Sequence, residues 1–305
     1  MLQQTQVATV IPYFRQFMRA FPSVKRLAGA PLDAVLACWS GLGYYARARH
    51  LHQAARIIRS SGGRLPRTAE EWARLPGVGR STAGAIVSLA LDEPAPMLDG
   101  NARRVIARHQ GLPATPDAPL WHVAERLLPD RDAALYTQGL MDLGSQCCTP
   151  RSPDCPHCPL NEDCHYASHG SGNQVKRERS PLPHRTAWVI IVQAENGQVL
   201  LRQRQARGIW GGLWSLPEYS SRNAACRWAR ARGKNLELHE EPSLTHRLSH
   251  LELHLHPLRI RIRRSDRAGF QGSGRWFDPE QLTVGVAAPI MQLIQREAAS
   301  RILSA

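Results

Sequence analysis

At 305 residues, with 39 Lys and Arg against 25 Asp and Glu, the chain carries a formal net charge of +14. The length predicts two domains, each able to bury its own core, and the basic excess predicts a polyanionic partner, nucleic acid first. No apolar run approaches the roughly 18 residues of a membrane span, no signal-peptide or lipidation pattern is present, and five of the seven cysteines crowd between Cys147 and Cys164. Membrane attachment and a secreted disulfide framework therefore fit poorly, and a reducing, cytoplasmic compartment is the expectation.

The first half reads as helices. From Val7, apolar residues at Val10, Ile11, Phe14, Phe17 and Met18 make one face of a helix closed by Phe21-Pro22. A second helix is predicted over 47–59 with Leu51, Ala54, Ile57 and Ile58 inward, and two more over 81–91 and 101–109.

Between these helices lie two motifs that carry chemistry. Leu75-Pro76-Gly77-Val78-Gly79, followed by Arg80-Ser81-Thr82-Ala83-Gly84, is a hairpin between two helices. Its glycines permit a tight turn and leave backbone N–H groups facing outward at a helix N-terminus; alone this reads as an ordinary turn, and in a basic protein as a site for a DNA phosphate. Met97-Leu98-Asp99-Gly100-Asn101 then places Asp99 just before a helical pattern. An N-cap role for that carboxylate is compatible with stabilising positive charge on a sugar, because a capped carboxylate stays fixed in place.

The helical half closes on Cys148, Cys155, Cys158 and Cys164, separated by six, two and five residues. Four soft thiolates this close converge on one metal centre, and the spacing alone leaves zinc and an iron–sulfur cluster both open. Residues 167–184 are rich in Ser, Gly, Asn, Lys, Arg and Pro without apolar period, the composition of a linker.

Beyond the linker the period changes. Residues 188–192 and 199–202 read as strands paired across Glu195-Asn196-Gly197. Leu251, Leu253 and Leu255 alternate with polar residues, and after Pro257 the phase shifts to Leu258, Ile260 and Ile262, which predicts a bulge or an edge position at the proline. Strand alternation on a half-exposed face accounts for His246, His250, His254 and His256 without a metal. Helices are predicted over 222–232 and 288–302, so this half is α+β.

The hairpin, the downstream Asp99 and the cysteine loop, in this order, resemble the endonuclease III superfamily of DNA glycosylases, and within it the MutY-type adenine DNA glycosylases. So do Met1-Leu2-Gln3-Gln4-Thr5-Gln6-Val7, the run from Gly41 to Ala48 (GLGYYARA) and Met141-Asp142-Leu143-Gly144. The resemblance implies a mainly α helix-hairpin-helix glycosylase domain with a [4Fe-4S] loop over 1–166, the linker, and an α+β Nudix-like domain over 185–305. It implies a monomeric, nucleoid-associated enzyme that removes adenine opposite 8-oxoguanine or guanine in double-stranded DNA.

Residue by residue, the resemblance assigns the cluster to Cys148, Cys155, Cys158 and Cys164 and the catalytic carboxylate to Asp99. Gly77, Gly79 and Ser81 would hold DNA at the hairpin. Ser81 stands where strand-cutting relatives carry a Schiff-base Lys, so the reading is a monofunctional glycosylase. Gln4 and Tyr44 match positions that wedge into the duplex around the oxidised guanine as the adenine flips out. Gly208-Ile209-Trp210-Gly211-Gly212-Leu213-Trp214 resembles the Nudix-like module, and Ser249 and His250 its lesion-strand contacts. The helix after Glu218 lacks the carboxylates that hold Mg²⁺ in Nudix hydrolases, which argues against pyrophosphatase activity.

The family's catalytic Glu, the general acid that protonates the leaving adenine, lies two residues before the methionine that matches Met1. The first acidic residue of this sequence is Asp33, so no substitute stands near the first helix. The expectation is a start assigned inside a longer gene; the alternative is a catalytically impaired protein that still binds lesion DNA.

Overall fold

The computed structural model describes residues 1–3, 5–113, 116–170, 181–233 and 236–302, with side chains as far as residue 296. Gln4 and much of the expected linker lie outside the described residues. The chain forms two compact units, one of Met1–Arg56 with Arg179–Ala305, the other of Ile57–Glu178.

Helices α1 (Val7–Ala20), α2 (Val24–Gly29), α3 (Leu32–Trp39) and α4 (Tyr45–Ser60) open the chain. The second unit continues with α5 (Ala69–Ala73), α6 (Arg80–Leu91), α7 (Gly100–His109), α8 (Asp117–Arg126), α9 (Ala133–Asp142) and α10 (His165–His169). Thr68 starts α5 with a capping box closed by Glu71. Leu98, Ile106, Ala107, Leu120, Val123 and Ala124 form a core between α7 and α8.

The sheet of the first unit comprises β1 (His184–Ala194), β2 (Val199–Gln203), β3 (Trp214–Ser215), β4 (Glu218–Tyr219), β5 (His239–Glu240), β6 (Leu244–Arg247), β7 (Glu252–Ile262) and β8 (Arg275–Phe277). Helix α11 (Arg222–Arg230) follows β4, and α12 (Ala288–Ile302) ends the described chain. The order β3-β2-β1-β7-β5 runs across the sheet, with β4 beside β1, β6 beside β7 and β8 beside β2. The predicted hairpin pairs Gln193 with Val199. Both faces are covered: Val189, Ile191, Leu253 and Leu255 pack with Val10, Phe17, Leu36 and Trp39, whereas Ile190, Val192, Leu258 and Ile260 pack with Ala225 and Ala229 of α11.

This two-sided burial corrects the reading of Pro257. β7 pairs with β1 in unbroken parallel register from His184↔Glu252 to Ala194↔Ile262, so the proline is neither a bulge nor an edge residue. The phase shift arises because the first part of the strand buries one face and the second part the other. Pro257 faces the gap between β6 and β5, where its carbonyl accepts from Glu241 N at 3.0 Å and no ladder bond requires its missing N–H.

Two helix faces also differ from expectation. In α1 only Val10 and Phe17 are buried, while Ile11, Phe14 and Met18 are 43, 53 and 42% exposed. In α4 Ala48, His52, Ala54, Ala55 and Ile58 turn inward, and Leu51 and Ile57 are exposed. A 3.6-residue period fixes the width of an apolar stripe, whereas the elements packed on it fix which line of the stripe is covered.

Candidate active site

Asp99 is delivered by the segment before it. Along α6, Ser81, Gly84 and Ser88 recur at helical spacing and form one face. Ser88 Oγ donates to Ala95 O at 2.8 Å, Leu98 N donates to Ser81 Oγ at 3.2 Å, and a Cβ on Gly84 would run into the Pro96 carbonyl. Residues 95–98 therefore lie flat on the helix. Asp99 then caps α7: its Oδ1 accepts from Asn101 N at 2.9 Å and from Ala102 N at 2.8 Å. Both bonds fall on Oδ1, so no protein donor among the described residues occupies Oδ2.

The hairpin stands at the start of the same helix. Gly77 has φ +77°, the left-handed region that glycine enters freely, and Gly79 at the N-cap offers no side-chain cap to the first amides of α6. Arg80 braces that end against α8 through Glu125 at 2.5 Å and over the Trp121 ring at 3.9 Å.

At the far side of α7 the helix grips the cysteine loop. Arg104 Nε donates to Cys148 O at 2.7 Å, and its Nη2 donates to Asn101 Oδ1 at 2.9 Å and to Gly144 O. Arg108, 6% exposed, donates from Nη1 to Cys148 Sγ at 3.3 Å and to Thr149 O at 2.7 Å. A π-helical turn over Leu143–Cys147 brings Gly144 so close to Asn101 that a Cβ there would sit 2.7 Å from its Cβ. Cys147, Cys148, Cys155, Cys158 and Cys164 line one cavity with Arg108 and Tyr166.

Burial, then the neighbouring thiols of Cys164, Cys148 and Cys158, raises the Cys155 pKa, and burial followed by Cys158 pushes Cys147 up to about 11. Among the described residues no three His, Cys, Asp or Glu side chains are already drawn to metal-holding distances. The donor set nevertheless fits a thiolate-bound centre, since several soft ligands and a buried guanidinium face one small space.

The remaining predicted residues lie in the first unit. Tyr44 is 46% exposed and sits at φ +48°, a left-handed conformation that costs a non-glycine residue about 1–3 kcal/mol. Arg47 lies over its ring at 4.8 Å and donates to Met1 O at 2.8 Å and Thr5 Oγ1 at 3.0 Å. Ser249 and His250 are exposed in the β6–β7 turn, which Leu248 N closes on Leu251 O at 2.8 Å.

Sequence reasoning missed Gly84, Ser88, Arg104 and Arg108. The signal was present as the Ser81/Gly84/Ser88 spacing and as two arginines four residues apart, on one face of the helix. Cys147 was counted among the cysteines but given no place at the centre.

Residues 1–126 match the HhH-GPD superfamily of base excision DNA repair proteins, and 187–296 match the NUDIX domain. These matches define the class as a base-excision-repair protein of the HhH-GPD type bearing a Nudix-like domain. The adenine DNA glycosylase of Buchnera aphidicola subsp. Schizaphis graminum (strain Sg) is 31% identical over 97% of this chain and 88% of its own. That of Buchnera aphidicola subsp. Acyrthosiphon pisum (strain APS) is 36% identical over 86% and 77%. A solved thermostable thymine-DNA glycosylase aligns at TM-score 0.51 and 31% identity over 55% of this chain and 80% of its own. The chain belongs to the adenine DNA glycosylase family, N-glycosyl hydrolases of base-excision repair.

Proposed function

We propose that this glycosylase removes adenine opposite 8-oxoguanine or guanine in double-stranded DNA, as a monomer in the cytoplasm at the nucleoid, and leaves the strand uncut. The observation that carries the reading is the two-amide hold on Asp99 Oδ1, which leaves Oδ2 to a substrate. When the flipped adenine departs, positive charge grows on the sugar, and a fixed carboxylate stabilises it electrostatically or through a transient bond before water adds. The backbone amides at Gly77, Gly79 and Ser81 would hold a phosphate. Tyr44, with Gln4, would occupy the disturbed stack, and Ser249 and His250 would read the lesion strand.

The Ser81 hydroxyl is engaged with Leu98 N and cannot form a Schiff base, which supports the monofunctional reading. Cys148, Cys155, Cys158 and Cys164 would hold a [4Fe-4S] cluster, which when bound would brace the loop that Arg104 and Arg108 grip.

Single-turnover adenine release from duplexes with 8-oxoguanine or guanine opposite adenine, followed beside binding and borohydride trapping, tests the reading. Release should be lost in Asp99→Asn, and no adduct should be trapped. Tight, lesion-selective binding without release would defeat the catalytic reading, and a trapped adduct would defeat the monofunctional one.

A further inference from the structure

The Tyr44 turn is held by a residue more than 240 positions away. Gly41, Gly43 and Tyr44 all have positive φ, at +94°, +76° and +48°. Glycine enters this region freely, but Tyr44 does not, so its conformation persists only where its surroundings over-determine it. Trp39 Nε1 donates to Gly43 O at 3.0 Å, and a Cβ on Gly41 would strike the Tyr13 hydroxyl.

The decisive contacts come from Val286. Its N–H donates to Ser40 Oγ at 3.2 Å, and its carbonyl accepts from the Tyr45 hydroxyl at 3.5 Å. Tyr45 in turn accepts from Gly41 N at 3.2 Å, which makes a relay from the turn's first amide through the phenol to Val286. The two hydroxyls that flank the turn thus take both polar groups of one residue's backbone.

That residue cannot drift. Val286 is 1% exposed and bridges to Trp214 in β3, while Trp214 N donates to Gly285 O at 2.9 Å. A Cβ on Gly285 would sit 2.7 Å from Leu36 Cβ. The clamp therefore ties the Tyr44 turn to the sheet that also carries Ser249 and His250.

We propose that Ser40 and Tyr45 are positioning residues that set the pose of Tyr44 through the Val286 backbone, so that the C-terminal sheet tunes lesion discrimination through this turn. The inference rests on the reading of Tyr44 as a duplex wedge. Ser40 and Tyr45 need not touch DNA. Their effect appears in the preference between two duplexes rather than in binding at large.

The test uses the full 305-residue chain and two duplexes, with adenine opposite 8-oxoguanine or guanine. The ratio of the two Kd values is read for the parent, Ser40→Ala, Ser40→Thr, Tyr45→Phe and Tyr44→Ala, each with its melting temperature. Ser40→Ala and Tyr45→Phe each remove one contact to the Val286 backbone and one to the turn's own segment, and each should shrink the ratio about 3- to 10-fold or more, whereas Ser40→Thr should restore it. Tyr45→Phe keeps the buried ring, so a fold defect in Ser40→Ala leaves the question answerable. A collapsed ratio in Tyr44→Ala beside an unchanged ratio in both hydroxyl variants would overturn the clamp alone. An unchanged ratio in Tyr44→Ala would overturn the wedge reading and the clamp with it.

Discussion

Arg104 Nε donates to the Cys148 carbonyl at 2.7 Å, so the helix capped by Asp99 and the first predicted cluster cysteine belong to one hydrogen-bonded assembly. The same guanidinium reaches Asn101 and Gly144 (one side chain on α7, one backbone carbonyl of the π-turn). Arg104→Ala should cost about 1–3 kcal/mol in thermal or urea melting, because three part-buried acceptors lose a charge-assisted partner. Arg104→Lys should recover little, since an ammonium cannot span acceptors laid out for a planar fork. A melting curve for Arg104→Lys matching the parent would refute the bridging role.

Asp99→Asn separates capping from chemistry. Asn caps helices about as well as Asp, so stability should change by less than about 1 kcal/mol. Loss of a preorganised charge should slow adenine release by ~10²-fold or more. Comparable losses in stability and rate would mean that Asp99 serves α7 and not the substrate.

The track on α6 predicts an ordered series. In Gly84→Ala the new methyl meets the Pro96 carbonyl, so the variant should lose about 2–3 kcal/mol and adenine release together. Ser88→Ala leaves the hydroxyl's place apolar at Ala95 O and should cost about 1 kcal/mol. If Gly84→Ala melts like the parent, the segment leading to Asp99 is not held as described.

Alkaline pH should loosen the fold. Burial raises the phenols of Tyr45, Tyr136 and Tyr219, the last to about 12, and it also raises the thiol of Cys38. Each folded-state pKa lies above its unfolded value, so the unfolded chain loses protons first. Stability is complete below the unfolded values, about 8.5 for thiols and 10 for phenols, and is lost as pH rises toward 12. Urea midpoints measured between about pH 8 and 12 should fall, and Tyr219→Phe should flatten the fall.

Ser81→Lys is a further probe. It removes the acceptor for Leu98 N and introduces an amine at the residue that holds Leu98, the chain neighbour of Asp99. Borohydride should then trap a protein–DNA adduct that the parent does not give. No adduct from a folded Ser81→Lys protein would place residue 81 away from the sugar.

Local rules made much of the protein legible. The helix beginning at Val7, the hairpin glycines, the cap at Asp99, the β1–β2 turn and the cysteine spacing all follow from short-range constraints of period, φ and ligand distance. A capped carboxylate and clustered thiols need only neighbours in the chain, so composition and spacing were enough to find them.

The rest depended on partners remote in sequence. Pro257 sits inside a sheet because β1 runs parallel beside it and β5 and β6 leave a gap at its nitrogen. Ile11, Phe14 and Met18 share an apolar face with buried residues, yet the elements packed on α1 cover only the line through Val10 and Phe17. Arg104 acts as a bridge because the π-turn folds Cys148 and Gly144 onto α7, and Val286 holds the Tyr44 turn across some 240 residues. The sequence by itself determined which groups can do chemistry, since that is a property of side chains and their near neighbours. Only the tertiary structure decided which of them are held in place, because the donors and packing surfaces that hold them arrive from distant segments once the chain has folded.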